Sequence, residues 1–150
     1  MNKQSFFMYL ATLGPVGYFV MPGTMATLVS LPLLYWLKEH IASLYLQAFL
    51  LGIITYIAFI AITHTLLGLR RFDDPSEIVV DEMIGCLVTF WGISLSAPSL
   101  CMGFLLFRFF DILKYGGVRY FERFAGAWGI LLDDIFAGIL SNIILRFFFG

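Results

Sequence analysis

Residues 44–69 read LYLQAFLLGIITYIAFIAITHTLLGL, a run without a single Asp, Glu, Lys or Arg. At about 1.5 Å per residue, a helix of this length comfortably exceeds a hydrocarbon core of about 30 Å. In that medium the backbone must satisfy its own hydrogen bonds, and a helix does so within one segment. The run therefore predicts a transmembrane helix and makes lipid the solvent for the rest of the chain. The composition agrees. Hydrophobic residues make up 61% of the 150 residues and charged residues 13%, against roughly 45–50% and roughly 25% in soluble domains. That balance excludes a disordered chain and argues against a water-soluble globule. Nine basic against ten acidic residues leave a net charge of −1, so nothing points to a nucleic-acid partner.

Moving outward from this helix, two shorter apolar runs at 78–95 and 98–113 are joined by the turn Ser96-Ala97-Pro98-Ser99. They predict a helical hairpin, spanning or re-entrant, with both open ends on one side. The run 128–149 is long enough to span, with Asp133 and Asp134 near its start. On the other flank, 25–37 is short for a span and holds Pro32. The N-terminus, MNKQSFFMYLATLGPVGYFV, has one early lysine but no small-x-small cleavage site, and Gly14-Pro15 and Gly17 interrupt it. It is read as a retained interfacial or re-entrant segment, not a signal peptide. The expected fold is an all-α polytopic membrane bundle, a single domain of about four transmembrane helices plus that segment. Cys86 and Cys101 lie inside apolar runs and read as small hydrophobes, not as a disulfide framework. Six residues separate Cys101 from Arg108, one too many for a cysteine-phosphatase loop.

The few charges can be assigned to sides. Arg70, Arg71, Asp73, Asp74 and Glu77 follow the 44–69 helix, and the hairpin returns Lys114, Arg119, Glu122 and Arg123 to the same side. Lys38 and Arg146 fall near the other face. The side rich in Lys and Arg is expected to be cytoplasmic.

Two acidic pairs stand on that side. Asp81-Glu82 sits in IVVDEMIG, where carboxylates also suit a positive helix N-terminus. Asp133-Asp134 follows an apolar stretch and has no solvated end. A carboxylate at membrane depth costs on the order of 3 kcal/mol, so two pairs on one side point to a shared task. Hard-oxygen clusters suit Mg²⁺, which takes one or two carboxylates plus substrate phosphate oxygens. Arg108, in GFLLFRFFD, is followed by Asp111 and Lys114 at three-residue steps, which makes them neighbours on a helix face. Such a stripe can clamp a phosphate while Asp111 orients the arginine or helps hold a metal. A snorkelling arginine and a buried structural ion pair are the other readings. In Pro22-Gly23-Thr24, Thr24 is expected to cap the next helix, and its hydroxyl with the free N–H groups there can receive phosphate oxygens. His64 reads as packing and His40 as idle.

Five segments, PGTMATL, DPSEIVVDEMIG, FRFFDILK, VRYFERF and GILLDDIFAGI, occur in an order and spacing that resemble the phosphatidylglycerophosphatase A family. The resemblance covers about residues 14–145. It implies a small helical, Mg²⁺-dependent phosphatase of the bacterial inner membrane, which converts phosphatidylglycerophosphate to phosphatidylglycerol. Carried over by position, the acidic motifs fall on Asp81, Glu82, Asp133 and Asp134 as metal-holding residues. The basic-acidic motif falls on Arg108, Asp111 and Lys114. The sequence departs from the family between Lys114 and Trp128: Tyr115-Gly116-Gly117-Val118 stands where prolines are usual, and Gly126-Ala127-Trp128-Gly129 replaces Gly-Gly-x-Gly. These changes bear on substrate preference more than on reaction type. A membrane phosphotransferase acting on a lipid phosphate uses the same groups. A small transporter or ion-binding bundle would use intramembrane charges as a pathway.

Overall fold

The structure is a computed structural model that describes residues 3–70 and 75–150, without the side chain of Glu122. Arg71, Asp73 and Asp74, counted above, lie outside the described residues. Among the described residues the chain is all-helical and has no strand. The helices are α1 (Lys3–Ala11), α2 (Pro22–His40), α3 (Leu44–Leu69), α4 (Val80–Thr89), α5 (Ala97–Leu113) and α6 (Ala127–Phe149), with 3₁₀ turns at Val16–Tyr18 and Val118–Arg123.

α3 matches the run that opened the reading. Its N-cap Ser43 accepts from the Leu46 N–H, and Arg70 ends it at φ 51°. Ala58, Ala61, Ile62, Thr65 and Leu66 form its buried stripe, while Tyr45, Phe49, Ile53, Tyr56 and Leu67 are exposed. A core helix of a soluble protein hides such a sequence; this one leaves most of it uncovered, as a lipid-facing helix does. α6 is the other described helix long and apolar enough to cross a membrane.

Two helices among the described residues are long and apolar enough to cross, and the structure does not confirm the expected set of about four. α4 has ten residues, about 15 Å of rise, or half a hydrocarbon core. The apolar run 78–95 continues past it, but the helix stops at Thr89 and Gly92 adopts φ 72°. α5 has 17 residues and starts on a capping box, in which Ser96 and Ser99 each accept the other's backbone N–H. α2 is longer than the 25–37 expected, because it continues through Pro32. Its cap is Met21 at φ 59°, not Thr24, and Pro22 occupies the first turn where no N–H bond is needed. α1 is too short to span. It lies antiparallel along the end of α3, with Phe7 stacked on His64 at 4.3 Å.

α4 and α6 run parallel with their backbones touching. A Cβ built on Gly138 would lie 2.6 Å from the Gly85 carbonyl, and one on Gly85 would lie 2.9 Å from the Asp134 carbonyl. Small residues at such a contact let membrane helices approach closely. One core cluster gathers Ala58, Ile62, Leu66, Ile84, Ile130 and Leu131. A second gathers Leu34, Phe90, Phe107, Ala137 and Leu145. This packing sets the starts of α4 and α6 side by side.

Candidate active site

Four helix ends meet at one end of the bundle: the starts of α2 and α4, the second turn of α6 and the end of α5. Three N-terminal ends bring positive backbone ends and unsatisfied N–H groups toward one place, which favours anions there. The side chains they carry include several carboxylates. Asp81, Asp111, Asp133 and Asp134 are all buried.

Oxygen atoms of Asp81, Glu82 and Asp134 lie within 4.8 Å of one another. Asp133 does not join this group. Adjacent residues on a helix point about 100° apart, so Asp134 meets the α4 carboxylates, with Asp111 of α5 close by, while Asp133 turns to the very end of α5. There Asp133 Oδ2 accepts from Lys114 Nζ at 2.5 Å, while its Oδ1 accepts the Asp134 N–H at 2.9 Å. Lys114 ends α5 in the left-handed region at φ 52°. From that position its Nζ also lies 3.5 Å from Asp111 Oδ1. Asp111 Oδ2 in turn lies 2.6 Å from Arg108 Nη1. The stripe read from the sequence is thus a chain of charges, Arg108–Asp111–Lys114–Asp133, running beside the three-carboxylate group.

The Arg108–Asp111 contact is close but poorly aligned. Nε and Nη1 of Arg108 are buried and, among the described residues, donate to no aligned acceptor. Glu82 Oε2 is buried and likewise accepts no hydrogen bond. Burial pushes the Glu82 carboxyl up to about 7, against the opposing effect of a hydrogen bond with Asp81. Burial works against the Lys114 charge too, but Asp133, with Asp134 and Asp111 behind it, holds the ammonium above its ordinary range. Buried carboxylates this close repel each other unless protons or a cation intervene. An all-oxygen donor set with an unsatisfied acceptor fits a hard divalent cation. The neighbouring guanidinium offers unused donors to an anion.

Thr24 lies in the first turn of α2, near these groups but not as the cap. The residue that sequence reasoning passed over is its neighbour Gly23. A Cβ there would lie 2.1 Å from Glu82 Oε1 and 2.9 Å from Arg108 Nη1. The signal was present: a glycine inside a helical turn has low helix propensity and needs a packing reason. Gly23→Ala should therefore displace both charged tips while leaving the helix intact. A misplacement of about 1 Å in a catalytic array costs about 10²-fold. A kcat/KM measured beside detergent melting checks it; wild-type kcat/KM would show that Gly23 merely fills space.

The family model for phosphatidylglycerophosphatase A matches residues 9–149. A protein of Bacteroides thetaiotaomicron named putative phosphatidylinositol-3-phosphatase is 35% identical, over 83% of this chain and 80% of its own length. Phosphatidylglycerophosphatase A of Escherichia coli K12 is 33% identical over 85% of this chain and 74% of its own. The Haemophilus influenzae protein of the same name is 42% identical over 48% of this chain and 45% of its own. No solved structure matches.

Proposed function

Because the chain belongs to the phosphatidylglycerophosphatase A family, and is a phosphatase on that ground, we propose that it hydrolyses phosphatidylglycerophosphate to phosphatidylglycerol and phosphate. The reaction would need Mg²⁺ and would serve phospholipid biosynthesis at the cytoplasmic face of the bacterial inner membrane. The observation that carries this reading is the Asp81–Glu82–Asp134 group, with both aspartates buried, beside an Arg108 guanidinium with unused donors.

In this reading Asp81, Glu82 and Asp134 hold the cation. When bound, it polarises the phosphoryl group and lowers the pKa of a water molecule. Arg108 directs Nε and Nη1 to the non-bridging oxygens of the phosphate, with Asp111 fixing its orientation. Lys114, held by Asp133, adds a second positive charge at the rim. Thr24 and the open N–H groups of α2 offer further donors to phosphate oxygens. The new P–O bond comes from water, and the bond that breaks is the ester bond to the lipid glycerol. Burial at the meeting of four helix ends limits competing water, which strengthens each of these charge interactions.

Two features support the membrane setting. α3 and α6 are long and apolar enough to cross. Arg70, Lys114, Arg119 and Arg123 lie toward the site end of the bundle and Lys38 and Arg146 toward the other, the asymmetry expected of a cytoplasmic site. The Bacteroides relative's name refers to a different lipid phosphomonoester, so the deciding assay includes both lipids. Inverted and right-side-out membrane vesicles would be supplied externally with phosphatidylglycerophosphate or phosphatidylinositol 3-phosphate, with and without Mg²⁺. The expected result is Mg²⁺-dependent phosphate release from phosphatidylglycerophosphate in inverted vesicles alone. Release from the phosphoinositide alone would overturn the substrate, and release only in right-side-out vesicles would overturn the topology.

A further inference from the structure

The far end of the bundle, away from the carboxylates, holds a second polar cluster. α4 stops after ten residues, so its last carbonyls and those of the turn that follows lie outside a continuing helical ladder. Some are taken locally: Phe90 N–H donates to Cys86, Trp91 N–H to Val88, and Ile93 N–H to Phe90. The carbonyls of Thr89, Trp91 and Ile93 are met by donors from other helices. Asn142 Nδ2 donates to Thr89 at 2.9 Å and to Trp91 at 2.8 Å. Arg146 Nη2 donates to Trp91 at 3.1 Å, and Lys38 Nζ donates to Ile93. Arg146 Nε donates to Asn142 Oδ1 at 2.8 Å, which fixes the orientation of that amide. In lipid each unsatisfied carbonyl costs several kcal/mol. Two cations at a helix C-terminus also complement its negative end.

Asn142 lies on the same helix as Asp134, two four-residue steps further on, with Gly138 between them. Along α4 the matching contacts are Gly85 against Asp134, Gly85 and Val88 against Gly138, and Thr89 against Asn142. Glycine contacts let two helices touch but do not stop them sliding. We propose that Asn142, braced by Arg146, is the pin that fixes the axial register of α4 on α6, and thereby holds Asp81 and Glu82 against Asp134. It is a positioning residue. A slip of one residue is about 1.5 Å, a large fraction of the 4.8 Å that contains the three carboxylates. This inference rests on the carboxylate group being the working site, but its test does not rest on the substrate.

The test compares the full-length wild type with Asn142→Leu, which keeps the number and branching of side-chain heavy atoms and removes the amide, and with Asn142→Gln, which keeps the amide. Ser141→Ala is a control at the same depth that loses only a bond to Ala137. Three readouts are taken in detergent: Mn²⁺ affinity, kcat and KM for phosphate release, and amide hydrogen exchange. Asn142→Leu should weaken Mn²⁺ binding about tenfold or more, the scale seen when a residue supporting metal ligands is lost. It should lower kcat with little change in KM, and speed exchange at Val80–Gly85 as well as beside Thr89. Asn142→Gln should recover part of each, and Ser141→Ala none of these losses. If Asn142→Leu fails to fold, Arg146→Met, an exposed change that frees the Asn142 amide, should show the same shifts on a smaller scale. Wild-type Mn²⁺ affinity and kcat in folded Asn142→Leu, or exchange confined to residues beside Thr89, would overturn the pin. A wild type that binds Mn²⁺ but releases no phosphate would overturn the proposed reaction alone, and the metal and exchange readouts would still decide the register.

Discussion

Arg108→Lys is expected to keep the net charge and the fold yet lose roughly 10²-fold in turnover, the scale of removing one transition-state donor. A guanidinium presents parallel donors to two phosphate oxygens, whereas an ammonium acts as a point charge. The structure sharpens the contrast with the two bland readings. A snorkelling arginine carries its head to the surface, but this side chain is only 16% exposed. A purely structural ion pair would align its donors with its partner; here Asp111 is close, while Nε and Nη1 lack aligned acceptors. Lys114 is already within 3.5 Å of Asp111, so that carboxylate does not depend on Arg108 for a counter-charge. The deciding measurement is kcat for phosphate release by folded Arg108→Lys protein, with melting in detergent as control. Wild-type kcat with unchanged melting removes Arg108 from the chemistry. Recovery of both stability and activity on exchanging Arg108 and Asp111 would return it to a structural pair.

The parts of this molecule that were legible in the sequence are those governed by length and solvent. A charge-free run of the length of 44–69 has one economical structure in lipid, and α3 spans it end to end. The start of α6 was legible to within a residue, because the long apolar run read from 128 begins where the helix does. The end of α4 was not. Hydropathy reads 78–95 as continuous, and the one local stop signal, Gly92 at φ 72°, lies inside that run. The carbonyls around the stop are met by Asn142, Arg146 and Lys38, which come from distant parts of the chain. The two acidic pairs stood out because charge is costly in this setting. The different surroundings of Asp133 and Asp134 did not, because neighbours in sequence look equivalent until the helix turns one toward the α4 carboxylates and the other toward Lys114. Gly23 was overlooked for a related reason: its importance lies in what a side chain there would strike.

That difference in surroundings yields the other large expected effect. Asp134→Asn should reduce Mg²⁺-dependent turnover to background, whereas Asp133→Asn should lose only about tenfold to hundredfold, as for a residue that orients another group. Both substitutions keep the size of the side chain and remove one formal charge, so packing changes little in either. Asp134 supplies one of three crowded oxygens, and among the described residues no other His, Cys, Asp or Glu of α6 joins that group. Asp133 instead anchors Lys114, so its loss should loosen the rim and leave the cation ligands in place. Stability should move in opposite directions. Without a cation, Asp134→Asn relieves repulsion among buried carboxylates and should raise the melting temperature, in the usual trade between stability and function. Asp133→Asn leaves the Lys114 ammonium half-buried with a weaker partner and should lower it. Mn²⁺ affinity separates the two cases without reference to turnover: it should collapse in Asp134→Asn and hold within a few-fold in Asp133→Asn. Equal loss of affinity in both variants would mean that Asp133 leaves Lys114 to ligate the cation, and the boundary drawn between the carboxylate group and its basic rim would have to be redrawn.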